Sequence, residues 1–229
     1  MNFENVNGQL LKNNTAAEEL ETQNLSKEIK FKYETPESRE ELRLEEKSWD
    51  NSDDDNHDSG TTKKYKDDKR KVVFFEANRS SSIHNESSDG QTHKIELSYN
   101  QEDNLKEIIF DMSSNGDNDS RIWSSGLSGK ANFVYSNGRL EKVTIIEDCN
   151  EYSEMDNGED VNYRREIEYI VKYDANGVLE SITENTNESL NSTKSTHELD
   201  IKSHESDEGI DATGIILRRQ FPADHLYLI

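Results

Sequence analysis

The 229-residue sequence holds one cysteine, Cys149, and two prolines, Pro36 and Pro222. A single thiol excludes an internal disulfide framework and any multi-cysteine metal site. Apolar residues are scarce as well: Leu, Ile, Val and Phe together number 47, about a fifth of the chain. No stretch approaches the roughly 20 consecutive apolar residues of a membrane-spanning helix. Basic residues are outnumbered by acids, 27 against 49, for a formal net charge of -22. Phosphate backbones are gripped by clustered Lys and Arg, so this balance argues against a general nucleic-acid binder. The opening Met1-Asn2-Phe3-Glu4-Asn5-Val6 has neither the basic nor the apolar segment of a secretory signal, which favours a cytoplasmic place over export. With a mean hydropathy of -1.06, the composition is that of disorder, and only part of the chain is expected to fold.

What is present is unevenly distributed. Residues 1–70 read as an acidic, mostly disordered N-terminal region with weak helices. Thr15-Ala16-Ala17-Glu18 has the form of a capping box. Thr35-Pro36 offers a cap and a first-turn proline to a charged helix over 37–47. The acidic run from Asp50 to Asp58 and the basic run from Lys63 to Lys71 then read as a solvated linker. Residues 184–208 read as a second polar linker. Residues 209–229 form an apolar C-terminal segment, with Ile215-Ile216-Leu217, Phe221 and Leu226-Tyr227-Leu228-Ile229, expected to supply a last strand to the sheet or, as the alternative, a short docking peptide that adds to a partner's sheet edge.

Residues 71–183 differ. They carry 22 acids and 11 bases, half of the net charge, and the densest β-forming pattern. Ile95, Leu97 and Tyr99 alternate with polar residues, as do Ala131, Phe133 and Tyr135, and again Ile167, Tyr169, Val171 and Tyr173. Period two is the signature of a strand with one buried face. Each run ends at a tyrosine, then a polar turn, a leucine, and a β-branched residue three beyond it. The three units are Tyr99…Leu105…Ile108, Tyr135…Gly138…Leu140…Val143 and Tyr173…Gly177…Leu179…Ile182, with the tyrosines 36 and 38 residues apart. Such spacing marks a repeat architecture. Asn137-Gly138 and Asn176-Gly177 accept the positive φ angles of tight hairpin turns. The three-residue offset would set leucine and partner on opposite faces, unless a bulge restores a common face or the leucine packs over the turn. The stretches 111–129 and 148–165 are expected to be exposed excursions. The expected fold is therefore mainly β, an antiparallel meander of repeated β-hairpins behind a disordered, partly helical N-terminal third.

The units resemble the YD repeats of Rhs-type and wall-associated bacterial proteins over about residues 95–183. Tyr173-Asp174-Ala175-Asn176-Gly177-Val178-Leu179 matches the YD-x-x-G-x-L pattern, and Tyr135-Ser136-Asn137-Gly138-Arg139-Leu140 follows it with a shorter turn. The Tyr99 unit lacks both the Asp and the Gly. A weaker likeness is to MORN-type repeats. In such families these residues are structural, so the resemblance implies a scaffold or binding surface and transfers no catalytic residue.

Candidate chemistry is thin. Asp111-Met112-Ser113-Ser114-Asn115-Gly116 starts like a calcium loop, but Ile122 stands where the closing Glu belongs. Asp148, Glu151, Glu154, Asp156, Glu159 and Asp160 make an acidic loop suited to a basic partner. The six histidines show no zinc spacing, and the carboxylates around Cys149 disfavour a thiolate. The chain is thus expected to be non-enzymatic, with no cofactor, and to act on a protein partner. The alternative is an acidic inhibitor or immunity-type protein that caps a basic toxin or nucleic-acid-binding partner.

Overall fold

The computed structural model describes residues 29–53, 56–83, 87–118, 121–154, 158–201 and 211–221. Ten strands follow in chain order: β1 (Arg43–Ser52), β2 (Asn56–Lys66), β3 (Val72–Ile83), β4 (Ser87–Tyr99), β5 (Leu105–Asn118), β6 (Arg121–Ser136), β7 (Arg139–Ser153), β8 (Asp160–Tyr173), β9 (Leu179–Glu188) and β10 (Thr193–Glu198). Each pairs antiparallel with the next, and spatial order equals chain order. The protein is one antiparallel meander, as the alternating pattern implies. Among the described residues one α-helix, α1 (Ala212–Gln220), follows the sheet.

Alternation gives the sheet two faces. One face collects Val72, Phe75, Ile95, Leu97, Ile108, Phe110, Ala131, Val143, Ile145, Ile167, Tyr169 and Ile182, and α1 lies on it. The helix contributes Ala212, Ile215, Ile216 and Leu217, and Phe221 just beyond it sets its ring edge-on to Phe110 at 5.3 Å. Among the described residues, the other face is covered at one place, by residues 29–42. There Phe74 is fully buried beneath Phe31 and Tyr33 and beside Tyr65. Arg39 clamps this corner. Its guanidinium lies 4.5 Å from the Phe74 ring, makes two 3.0 Å hydrogen bonds to the Glu76 carboxylate, and donates to the carbonyls of Tyr33 and Glu34. The backbone N–H groups of Lys32 and Tyr33 donate to Glu96 on the adjacent strand.

Four readings of the sequence are corrected. The sheet begins at Arg43, not near residue 71: the supposed linker forms the β1–β2 hairpin, and the charged helix over 37–47 is one 3-10 turn, Glu37–Arg39, followed by strand. The physical reason is charge pairing across the ladder. Glu45 faces Lys64 and Glu46 faces Lys63, so acids of the supposed helix meet the basic run on the adjacent strand, while Asp50 and Asp58 lie toward the tip of the hairpin. The polar linker 184–208 contains the end of β9 and all of β10. The excursions 111–129 and 148–165 continue as strands, joined by polar cross-strand pairs such as Ser114–Ser125 at 2.7 Å and Asn150–Asn162 at 2.7 Å. The described part of the apolar C-terminal segment, residues 211–221, supplies a helix where a last strand is expected. Asp211 caps it by accepting from the Gly214 N–H, and Ala212, Ile215 and Ile216 fall on one helical face. The capping box at Thr15–Glu18 and the terminal Leu226–Ile229 lie outside the described residues.

Candidate functional site

All eleven repeat residues lie at one end of the sheet, on the helix face or in the turns beside it. Tyr99 pairs with Leu105, Tyr135 with Leu140 and Tyr173 with Leu179. Directly after each pair the register slips by one residue, at Lys106, Glu141 and Glu180. That bulge resolves the three-residue offset. It turns Leu105 and Ile108, Leu140 and Val143, and Leu179 and Ile182 toward the same core.

A fourth unit emerges that the sequence conceals. Lys66 pairs with Val72, the register slips at Val73, and Phe75 occupies the place of Ile108. Three of the four turns share one geometry. Arg70, Asp103 and Gly177 stand at equivalent positions with φ of 67°, 65° and 82°. An Asx side chain opens each: Asp67 accepts from the Lys71 N–H, Asn100 from those of Glu102 and Asn104, and Asp174 from those of Asn176 and Val178. The third turn is the two-residue Asn137-Gly138, with both φ angles positive.

Cations tie neighbouring turns together. Lys69 and Lys71 of the first turn both reach Asp103 of the second, at 3.0 and 3.3 Å. The Lys71 ammonium also lies 4.5 Å from the Tyr99 ring centre, and the Arg139 guanidinium 5.5 Å from that of Tyr173. Tyr99 donates to the Val72 carbonyl at 3.0 Å, and burial pushes its hydroxyl up to about 12.

A second cluster lies where the end of α1 meets the sheet. Glu147 is fully buried and accepts from Arg165 and, at 3.0 Å, from Gln220. Burial pushes its carboxyl above the ordinary range, against the pull of Arg165. Glu184 accepts from Tyr169 at 2.9 Å and from Arg219 at 3.2 Å. Tyr169 is raised by burial and by the Glu184 charge beside it. Two buried acids flanking a tyrosine have the residue types of acid–base chemistry. Here each is occupied by an arginine and by the helix, so the cluster fastens α1 to the sheet. The sequence signal for it, Glu147 and Glu184 at core-facing positions of alternating strands, is indistinguishable from the many exposed acids.

Elsewhere the candidate chemistry disperses. Asp111, Ser113 and Asn115 sit along β5 rather than in a loop. Among the described residues, no group of three or more His, Cys, Asp or Glu is placed to hold a metal ion. Cys149 is buried, and desolvation with the Glu147 charge pushes its thiol up to about 11. His57 stands 3.6 Å from Asp50, and His84, His204 and His225 lie outside the described residues. No described helix is long and apolar enough to cross a membrane. Comparison with protein-family models, with curated proteins and with solved structures finds no match to this chain.

Proposed function

We propose that the chain is a non-enzymatic structural or protein-interaction module built on YD-like β-hairpins. The observation that carries this reading is the set of four stacked hairpin ends, whose ordered turns present a continuous surface along one end of the sheet. Rigid turns held by Asx bonds and cation bridges are pre-organised for contact, because a partner pays little to order them. The resemblance to YD repeats, in which the same residue types are structural, points the same way. Among the described residues, no strand lies beyond β1 or β10 at the two edges of the sheet. β1 carries Arg43, Glu45, Glu46, Lys47 and Asp50, a charge density that discourages indiscriminate strand addition. The turn surface is therefore the stronger contact candidate.

The alternative, an acidic inhibitor that caps a basic partner, is favoured by the net charge of -22, which accelerates encounter with a positive surface. An affinity capture from the native host at low and high salt separates the readings. Retention of one protein that survives high salt and is lost when Lys69 and Arg139 are replaced by alanine supports the module. A single basic protein released by high salt supports the inhibitor. A turnover abolished by replacing Glu147 or Glu184, in a variant that stays folded, would overturn both.

A further inference from the structure

The bridges between successive hairpin ends follow a rule. The residue just before the returning apolar residue reaches across to the tyrosine that opens the next unit. Lys71, before Val72, lies 4.5 Å from the Tyr99 ring centre. Arg139, before Leu140, lies 5.5 Å from that of Tyr173. The same position in the second unit is Asn104, before Leu105. Its amide stays on its own turn, 3.5 Å from the Glu102 carboxylate. Among the described residues no Lys or Arg stands over the ring of Tyr135. An open cleft of about 630 Å³ lies there instead, lined by Asn100, Gln101, Glu102, Tyr135, Asn137 and Gly138.

We propose that this cleft is a binding site for the side chain of an arginine or lysine presented by a protein partner. The cleft holds the tyrosine that both filled junctions hold, without the cation, and a carboxylate as the Lys71 junction has in Asp103. One wall is the half-buried tyrosine, whose π face attracts positive charge. The other is the exposed Glu102 carboxylate, and no basic residue is among the lining. Asp211, at the helix N-terminus, adds negative charge near Tyr135. Asparagine at 104 is too short to reach the ring and carries no charge, so the position that is satisfied internally on either side is left for a guest. The proposal depends on the module reading for the source of the cation but not for the chemistry of the cleft.

The test uses the full chain labelled with ¹⁵N and a blocked tripeptide with a central arginine, with the citrulline analogue as its neutral isostere. The arginine peptide is expected to shift the amides of residues 101–104 and 136–139 saturably at low salt, and the citrulline peptide is not. Glu102→Gln and Tyr135→Leu are each expected to weaken binding about two- to tenfold, the scale of a single cation–π or exposed ion-pair contact. Asn104→Arg, on an exposed turn that already carries long side chains at this position in two other units, fills the cleft from within and abolishes the response. Equal shifts from both peptides, no saturable response, or an undiminished response in Asn104→Arg would overturn the site. Failure here leaves the module reading standing, since the host capture tests it separately.

Discussion

Replacing Ile216 by alanine probes the packing of α1 on the sheet. Ile216 is about 1% exposed, and it packs among the sheet residues that form the core. Truncation to alanine removes three carbon atoms from a site with little freedom to collapse, since the facing strands are held by ladders on both sides. Large-to-small replacements of buried isoleucine cost about 2–5 kcal/mol, transfer and cavity terms together. The upper half of that range is expected, because Ile215 and Leu217 are fixed by the same helix and cannot slide in to fill the space. Urea unfolding followed by far-ultraviolet circular dichroism reads the change as a shift of the midpoint at constant slope. Val178→Ala, at a turn residue 63% exposed, is the control and is expected within about 0.5 kcal/mol of the parent. A loss below about 0.5 kcal/mol for Ile216→Ala would mean that α1 is not part of the folded core, and the account of the C-terminal segment would fail.

Three further outcomes follow from named contacts. Gly177 has φ of +82°, and an added Cβ would meet the Arg139 guanidinium at 1.9–2.5 Å, whereas Gly138, also at positive φ, has nothing within 4 Å. Both Gly→Ala changes carry the left-handed backbone cost of about 1–2 kcal/mol, and Gly177→Ala should cost more because it displaces Arg139 from Tyr173; thermal unfolding showing the reverse order would refute this. Arg39→Lys loses the two-pronged bond to Glu76 and the stack on Phe74, and is expected to cost about 1–3 kcal/mol in urea; an unchanged midpoint would show that residues 29–42 do not pack on the sheet. Glu147 has a raised folded-state carboxyl, so the stability gained from its neutral form is complete below its ordinary value of 4.5 and is lost as pH rises through the higher folded value. The stability of the parent relative to Glu147→Gln should therefore fall as pH rises above 4.5, and a flat or rising difference would contradict the assignment.

The part of the fold legible in the sequence is the part where apolar residues alternate. Ile95-Leu97-Tyr99, Ala131-Phe133-Tyr135 and Ile167-Tyr169-Val171-Tyr173 announce their strands because one face of each is dry. The far ends of the same strands bury little, so residues 113–118 and 121–125 read as loop although they pair continuously across the ladder. Glycine hides there for a related reason. Trp49 lies over Gly60, Trp123 over Gly116 and Phe110 over Gly129, each across a strand pair, so an aromatic ring supplies the packing that glycine lacks. The fourth repeat was illegible because Lys66 replaces the tyrosine and Arg70 and Lys71 the turn glycine and its neighbour. Its equivalence is carried by register and φ, which residue identity does not encode. The apolar end of a polar chain points to burial but not to the element that achieves it; Ile215 and Ile216 favour β-structure locally, and packing on the sheet outweighs that preference. Of the candidate site, the tyrosines and turn glycines are readable, and the bulge is one of two placements that the leucine offset allows. The cation bridges were not, since they join residues about thirty apart.

The central claim is that a single meander of bulged hairpins begins at Arg43 and includes residues that read as a charged linker. The Hα resonances of Gly60 test it most directly, because Gly60 in that linker pairs with Trp49 and lies against its indole ring. The account predicts ring-current-shifted Gly60 Hα signals, well upfield of a disordered glycine, that return to ordinary values in Trp49→Leu. Unshifted Gly60 signals in the parent protein, with amides of residues 43–66 exchanging as fast as an unfolded chain, would contradict it.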